Sequence, residues 1–160
     1  MEKITNHFGV YGVLIKDNKL LCIKKNAGPY RNRYDLPGGS QQMAEGLTET
    51  LKREILEETG HKLISYENNR VYDVFVHEEG KSFTVHHMFA LYDVRLDSLK
   101  RDLPQIVADG ENDSNGIIWI NLNDIDVMNS SPLVIKARDE YFKKNGFLNK
   151  TVYNNWKVRL

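Results

Sequence analysis

The sequence predicts an α+β domain of layered elements around a mixed sheet, and three observations point there. Two β-rich stretches each fold back about a short polar break, and one strong helix-forming segment lies between them. A second helical period follows the strands, and nowhere is there a regular βαβ alternation, so a doubly wound sheet is disfavoured.

The elements follow in order. HFGVYGVLI (7–15) and LLCIK (20–24) flank Lys16-Asp17-Asn18-Lys19. Asp-Asn in a short polar break tolerates positive φ, so this reads as a hairpin. NAGPYRNRYDLPGG (26–39) is rich in Gly, Pro and Asn and reads as a loop. GLTETLKREILEET (46–59) is made of strong helix formers and is closed by Gly60, the usual residue past a helix end. VYDVFVH (71–77) and SFTVHHMFALYDVRL (82–96) surround Glu78-Glu79-Gly80-Lys81 as a second, longer hairpin. On the second of these strands His86 and His87 point to opposite faces, and both faces are apolar enough to be covered. A polar stretch, ADGENDSNG (108–116), precedes the short strand IIWI (117–120). Residues 132–145 show a helical period that turns Leu133, Ala137 and Tyr141 inward, with Ile135 and Phe142 as further candidates. Pro132 suits the first turn of that helix and Gly146 its end. The tail 147–160 is too apolar for a plain disordered end and is expected to dock, Trp156 either capping the sheet or contacting a second subunit in a homodimer.

Length and charge bound what such a chain does. Its 160 residues suit a single domain, taken as 1–160 with a core at about 5–145, that buries roughly two thirds of its unfolded surface. Twenty-two basic side chains balance 22 acidic ones, so no basic field exists to hold a nucleic-acid polymer or an anionic membrane. A lone cysteine, Cys22, excludes an internal disulfide and a multi-cysteine zinc site. No apolar run reaches the length of a bilayer span, and MEKITNHFG lacks the apolar core of a signal peptide. A cytoplasmic location is the expectation.

The helix at 46–59 breaks the ordinary pattern. With residues about 100° apart, Leu47, Leu51 and Ile55 form its apolar stripe, and Glu54 and Glu58 project within about 20° of Leu47. Glu57 lies on the stripe's shoulder. Two carboxylates about 6 Å apart repel by roughly 3 kcal/mol at an effective dielectric of 20. Three readings remain open: the acids hold protons, a cation sits among them, or the helix is a solvated acidic surface. Clustered carboxylates without cysteine suit a hard ion, Mg²⁺ or Mn²⁺. Arg53 has Glu49 and Glu57 within one helical turn as ion-pair partners. Leu36-Pro37-Gly38-Gly39 leads directly to this helix, and such glycines let a backbone approach a ligand closely.

Gly39, five residues, Glu45, seven residues, then Arg53-Glu54-Ile55-Leu56-Glu57-Glu58-Thr59-Gly60 resembles the Nudix box, which here runs from Gly39 to His61. Every fixed charged or glycine position of that pattern is present. Two positions depart from it: His61 stands where an aliphatic closes the box, and Tyr34 where Trp is frequent. The resemblance implies a Nudix-type α/β/α sandwich with a mixed sheet between helices. It also implies divalent-metal-dependent hydrolysis of a pyrophosphate bond in a small nucleotide. By position, Glu54, Glu57 and Glu58 are the implied metal ligands, with the Gly38 carbonyl as a further oxygen. Arg53 is implied to orient the glutamates and Glu54 to act as general base, with Glu111 or Asp113 on the loop before the Trp119 strand as the second choice and Glu111 also a candidate ligand.

The substrate is less legible. ADP-ribose hydrolases of this kind tend to carry a Pro downstream of the box, and Val76 and its neighbours include none. The position where dinucleoside-polyphosphate hydrolases often have Tyr holds His77 and Glu78. A nucleoside triphosphate or another nucleotide derivative is therefore the expectation, and a nucleotide-binding sensor without turnover is the alternative. Arg31, Arg33 and Tyr30, just upstream of the glycines, are candidates for phosphate or base contacts along with Gly39; the other reading of this stretch is a solvated loop.

Overall fold

Alternate side chains of the first long strand, β1 (Lys3–Val13), enter two different cores, and this sets the layering. In the computed structural model, which describes residues 2–160, β1 is followed by β2 (Ile15–Lys16), β3 (Lys19–Lys25), β4 (Tyr34–Asp35) and β5 (Gly38–Gly39). Then come α1 (Leu47–Thr59), β6 (Leu63–Glu78), β7 (Phe83–Leu96), β8 (Ile106–Val107) and β9 (Gly110–Glu111). Strand β10 (Ser114–Asn121), helix α2 (Pro132–Tyr141) and strand β11 (Val152–Trp156) complete the order.

The main sheet has the order β11-β6-β7-β1-β5. It is mixed: β1 runs parallel to β7 and β11 parallel to β6, while the β6–β7 and β1–β5 pairs are antiparallel. A second sheet, β10-β3-β2 with β4 on β3, is antiparallel. On one face of the main sheet Val10, Ala90, Tyr92 and Val94 meet Leu51 and Ile55 of α1. On the other, Tyr11, Val13, Phe89 and Leu91 meet Leu20 and Cys22 of β3 and Leu133, Val134 and Ala137 of α2. Fully burying each such aliphatic side chain contributes about 1.5–3 kcal/mol. The α+β sandwich, with both faces of β7 covered, matches the expectation.

Three elements differ from the sequence reading. The run 7–15 is not one hairpin arm: β1 leaves at Val13 for the main sheet, and only Ile15–Lys16 pairs with β3. The turn itself is as expected, with Asp17 and Asn18 at φ 52° and 62°. Strand β6 begins at Leu63, well before Val71, because its polar, largely exposed first half is held by backbone pairing with β7 rather than by burial, across a bulge between Glu67 and Arg70. Helix α2 stops at Tyr141, short of Gly146, and Tyr141 and Phe142 are exposed. Lys143 takes the left-handed position at φ 50°, and its N–H and that of Lys144 donate to Glu140 O and Asp139 O, a Schellman close. The inward face is instead Leu133, Val134, Ile135 and Ala137.

Among the described residues no helix is long and apolar enough to cross a membrane. Trp156 is turned inward at 3% exposure.

Candidate active site

Helix α1 owes its limits to its ends. Glu49 Oε1 accepts from Gly46 N at 3.0 Å at the start, and Gly60 closes the helix at φ 77°. A Cβ on Gly60 would come within 2.3 Å of Arg101 O. The buried face of α1 carries Leu51 and Ile55 but not Leu47, which is 40% exposed; Glu54 and Glu58 lie inside it, at 6% and 2% exposure. Glu49, spent on the cap, is not the partner of Arg53.

That partner is chiefly Glu45. Arg53 Nε and Nη2 donate to its two carboxylate oxygens at 2.7 and 3.0 Å. Arg53 Nη1 reaches Glu54 at 2.9 Å and Glu57 at 3.2 Å, and Nη2 also donates to Ser40 O at 3.0 Å. One guanidinium therefore fixes three glutamates and the strand end that faces them. The hydrogen bond from Arg53 holds the Glu45 carboxyl down at about 2. Burial moves the others the opposite way: Glu54 is pushed up to about 7, Glu57 is raised, and Glu58 is raised well above the ordinary range.

The two glycines explain how acids fit here. Strand β5 pairs with β1, Gly38 opposite Tyr11 and Gly39 opposite Val10. Gly38 N donates to Glu58 Oε1 at 2.7 Å. A Cβ on Gly39 would stand 2.7 Å from the Glu54 carboxyl carbon, so only glycine leaves that carboxyl its place. From the other side Asn112 Nδ2 donates to Glu57 O and Ser114 Oγ to Glu58 O, at 2.9 and 2.8 Å, tying the loop before β10 to the last turn of α1.

Together these elements line a cleft of about 320 Å³ with six acidic side chains, Glu54, Glu57, Glu58, Asp109, Glu111 and Asp113, and one lysine, Lys25. Lys25 is ion-paired with Asp113. Burial, which would raise Asp113, is outweighed by Lys25 and a hydrogen bond from Glu58, and its carboxyl lies below the usual value. Among the described residues no three acidic, His or Cys side chains already form a tight cage. The donor set nevertheless fits a hard cation: carboxylate oxygens in excess of positive charge, two of them buried with strongly raised affinity for protons. Glu54, Glu57, Glu58 and Glu111 all line this cleft.

The cleft opens into a larger, mostly apolar pocket of about 580 Å³, with which it shares His7, Tyr11, Lys25, Ala27 and Asp113. Its floor is His87, 3% exposed, hydrogen-bonded to the Tyr30 hydroxyl through Nδ1 at 2.9 Å and to the Tyr11 hydroxyl through Nε2 at 3.3 Å. Burial, with His7 and Lys25 adding to it, lowers His87 to about 3, so the ring is neutral. His86, on the opposite face, stacks on Phe75 and pairs with Asp73.

Arg33 is not at the cleft. Its guanidinium donates to Val127 O and Lys157 O and lies 4.1 Å from the Trp156 ring, which corrects its reading as a phosphate contact. Arg31 is exposed and lines neither the cleft nor the pocket. Sequence reasoning missed Lys25, Tyr11, His7 and His87 as a set, since strands far apart in the chain bring them together. The one available signal was the strand face on which His87 lies with Phe89 and Leu91.

Comparison with known proteins gives consistent matches. The family model described as NUDIX domain matches residues 5–143. An ADP-ribose pyrophosphatase of Methanocaldococcus jannaschii is 45% identical over 51 residues, covering 32% of this chain and 30% of that protein. An 8-oxo-dGTP diphosphatase of Buchnera aphidicola is 38% identical over 58 residues, covering 36% of this chain and 45% of that protein. The chain thus spans less than half the length of either curated relative. Among solved structures, a MutT NUDIX hydrolase from Burkholderia pseudomallei superposes with TM-score 0.61 at 19% identity, covering 84% of this chain and 97% of that one. A NUDIX hydrolase from Nitrosomonas europaea gives 0.64 at 20% identity, covering 87% and 90%.

Proposed function

Since the chain belongs to the Nudix family, we propose that it hydrolyses the pyrophosphate bond of a nucleoside diphosphate linked to another moiety, with Mg²⁺ or Mn²⁺. One observation carries this: a cleft lined by six carboxylates and one lysine adjoins an apolar pocket of nucleoside size. A pyrophosphate is itself anionic and enters such a cleft only with cations to neutralise both sides.

Glu54, Glu57 and Glu58 would hold the cation, joined by the Gly38 carbonyl and Glu111. Bound there, Mg²⁺ or Mn²⁺ supplies charge neutralisation and Lewis acidity toward the phosphoryl oxygens. Arg53 keeps Glu54 and Glu57 oriented through the bonds described. Glu54, buried on α1 and lining the cleft, is the first choice for taking a proton from the attacking water. Glu111, on β9 and exposed in the cleft, is the second choice of base. Asp113 is committed to Lys25 and Glu58. The pocket takes the nucleoside over a floor in which the neutral His87 has both ring nitrogens engaged by the Tyr11 and Tyr30 hydroxyls.

Two relatives name the first substrates to try, ADP-ribose and 8-oxo-dGTP, beside ordinary nucleoside triphosphates and nucleotide sugars. The test is a screen of these with Mg²⁺, reading products by mass, for the wild type and Glu58→Gln. Cleavage between two phosphorus atoms that vanishes in the variant is the expected result. Binding without cleavage across the panel would favour the sensor reading and overturn hydrolysis.

A further inference from the structure

Residues beyond the family match at 5–143 build part of the apolar pocket's frame. Strand β11 lies parallel on β6, with Tyr153 opposite Val76 and Trp156 opposite Glu78, and Val76 and Glu78 line one wall of the pocket. Glu79 N donates to Trp156 O at 2.8 Å. Trp156 is the one buried residue of β11, and its side chain reaches the opposite wall. Its indole Nε1 donates to Pro29 O at 2.7 Å, and its ring meets Tyr30 edge-on at 5.7 Å. Arg33 lies over the same indole and bonds Lys157 O, while Asn32 Nδ2 donates to Arg159 O at 2.8 Å. The loop that carries Pro29 and Tyr30 is therefore clasped from outside by the segment 152–159, and Tyr30 in turn holds His87 on the pocket floor.

Resting on the reading of this pocket as the nucleoside site, we propose that segment 152–159 determines how the enzyme receives the nucleoside, with Trp156 as its positioning residue. Trp156 touches neither the acidic cleft nor the pocket interior. Its effect passes through Pro29 and Tyr30 to the seat of the base, and leaves the phosphate end alone. Substitution therefore separates binding of the nucleoside from chemistry at phosphorus.

The test compares Trp156→Ala, Trp156→Phe and Tyr30→Phe with the wild type. AMP, GMP, CMP and UMP serve as metal-free probes by saturation-transfer NMR, Mn²⁺ affinity is read by electron paramagnetic resonance, and KM and kcat are measured on whichever nucleotide the screen finds cleaved. Trp156→Ala is expected to weaken the best-bound monophosphate and raise KM by about tenfold, with kcat within about threefold and Mn²⁺ affinity unchanged. Trp156→Phe, which keeps an aromatic ring beside Tyr30 and Arg33, restores most of that loss. Tyr30→Phe, which spares the clasp and removes the hydroxyl on His87, raises KM in the same sense, and Trp156→Phe, which lacks only the bond to Pro29 O, reads a smaller effect of the same kind where Trp156→Ala fails to fold. Unchanged monophosphate binding and KM in a folded Trp156→Ala, or in Trp156→Phe where Trp156→Ala does not fold, would overturn the proposal while turnover by the wild type upholds the hydrolase reading. Equal losses of kcat and Mn²⁺ affinity would overturn it too, by showing a general structural role. A wild type that cleaves nothing sinks the hydrolase reading, and the monophosphate titrations then decide the role of Trp156 alone.

Discussion

The Arg53 guanidinium grips Glu45 by both carboxylate oxygens, at 2.7 and 3.0 Å, and spends its remaining donors on Glu54, Glu57 and Ser40 O. Glu45 stands just ahead of α1 and itself accepts from Gln42 N and Thr50 Oγ1, each at 2.8 Å, so the anchor is rigid. Lysine has the charge but not the planar fork. Arg53→Lys is expected to lower kcat by about 10²-fold and stability by roughly 1–2 kcal/mol. Steady-state kinetics with a thermal melt checks this, and full activity in the variant would dismiss the orienting role.

Glu58 is almost fully buried, and in the metal-free chain the burial that holds its carboxyl protonated, well above the ordinary range, makes ionising it there costly to the fold. Glutamine keeps the shape and can still accept from Gly38 N. Glu58→Gln is expected to melt at or above the wild-type temperature without metal, to lose its stabilisation by Mn²⁺, and to lose turnover by at least about 10²-fold. Calorimetry with and without Mn²⁺ reads both effects. A variant that melts lower without metal would contradict the account of a strained carboxylate.

At Gly39 an added methyl meets the end of the flexible Glu54 side chain rather than backbone. Gly39→Ala therefore folds, while its Glu54 carboxyl is displaced. Turnover is expected to fall by about 10–10²-fold at nearly unchanged melting temperature. A crystal structure of the variant with Glu54 in its original place would refute the explanation.

Stability of the metal-free protein should depend on pH in a defined window. Glu54 titrates at about 7 against an ordinary 4.5, so its contribution is complete below pH 4.5 and is lost as pH rises through 7. Glu57 and Glu58 are shifted in the same direction. His87, held neutral at about 3, acts oppositely: its stabilisation is lost as pH falls below 6.5, and it offsets the carboxylates between 4.5 and 6.5. His87 goes on returning stability until about pH 7.5, where the imidazole is neutral in both states, and His7, also lowered by burial, acts in the same sense. From pH 6.5 to 8 Glu54 removes about 0.8 kcal/mol and Glu58 adds to that loss, against about 0.4 kcal/mol that His87 returns. Melting temperatures in EDTA should fall across this interval and saturating Mn²⁺ should abolish the fall; a rise in EDTA would show that the carboxyls are not the titrating groups.

What could be read in the sequence was what local chemistry decides. Gly60 as a helix stop, Asp17-Asn18 as a turn, and the glutamates on the buried side of α1 each follow from neighbours a few residues away. Arg53 was recognisable as an orienting group, yet its choice of Glu45 over Glu49 depends on the capping bond that Glu49 makes to Gly46 N. The same limit explains Arg33. Nothing near it in the chain announces Trp156 or Lys157, which reach it only after β11 has docked. The floor of the pocket was hidden for a related reason, since Tyr11, Tyr30 and His87 come from three separate segments and meet through hydroxyl-to-imidazole bonds.

The parallel pairing of β1 with β7 sets Lys3 opposite Phe83, half the chain's length away. Strand β5, and with it the Gly38-Gly39 corner, hangs on the other edge of β1. During synthesis on a ribosome, the corner and α1 emerge before β7 exists to pair with the far edge of β1, and before residues 107–113 exist to close the cleft. Early in folding the acids of α1 are solvated and ionised, and charge repulsion opposes premature collapse of this region. Assembly of the acidic cleft needs contacts between segments far apart in the chain, and long-range registration of β1 with β7, rather than helix formation, is the step expected to set its timing.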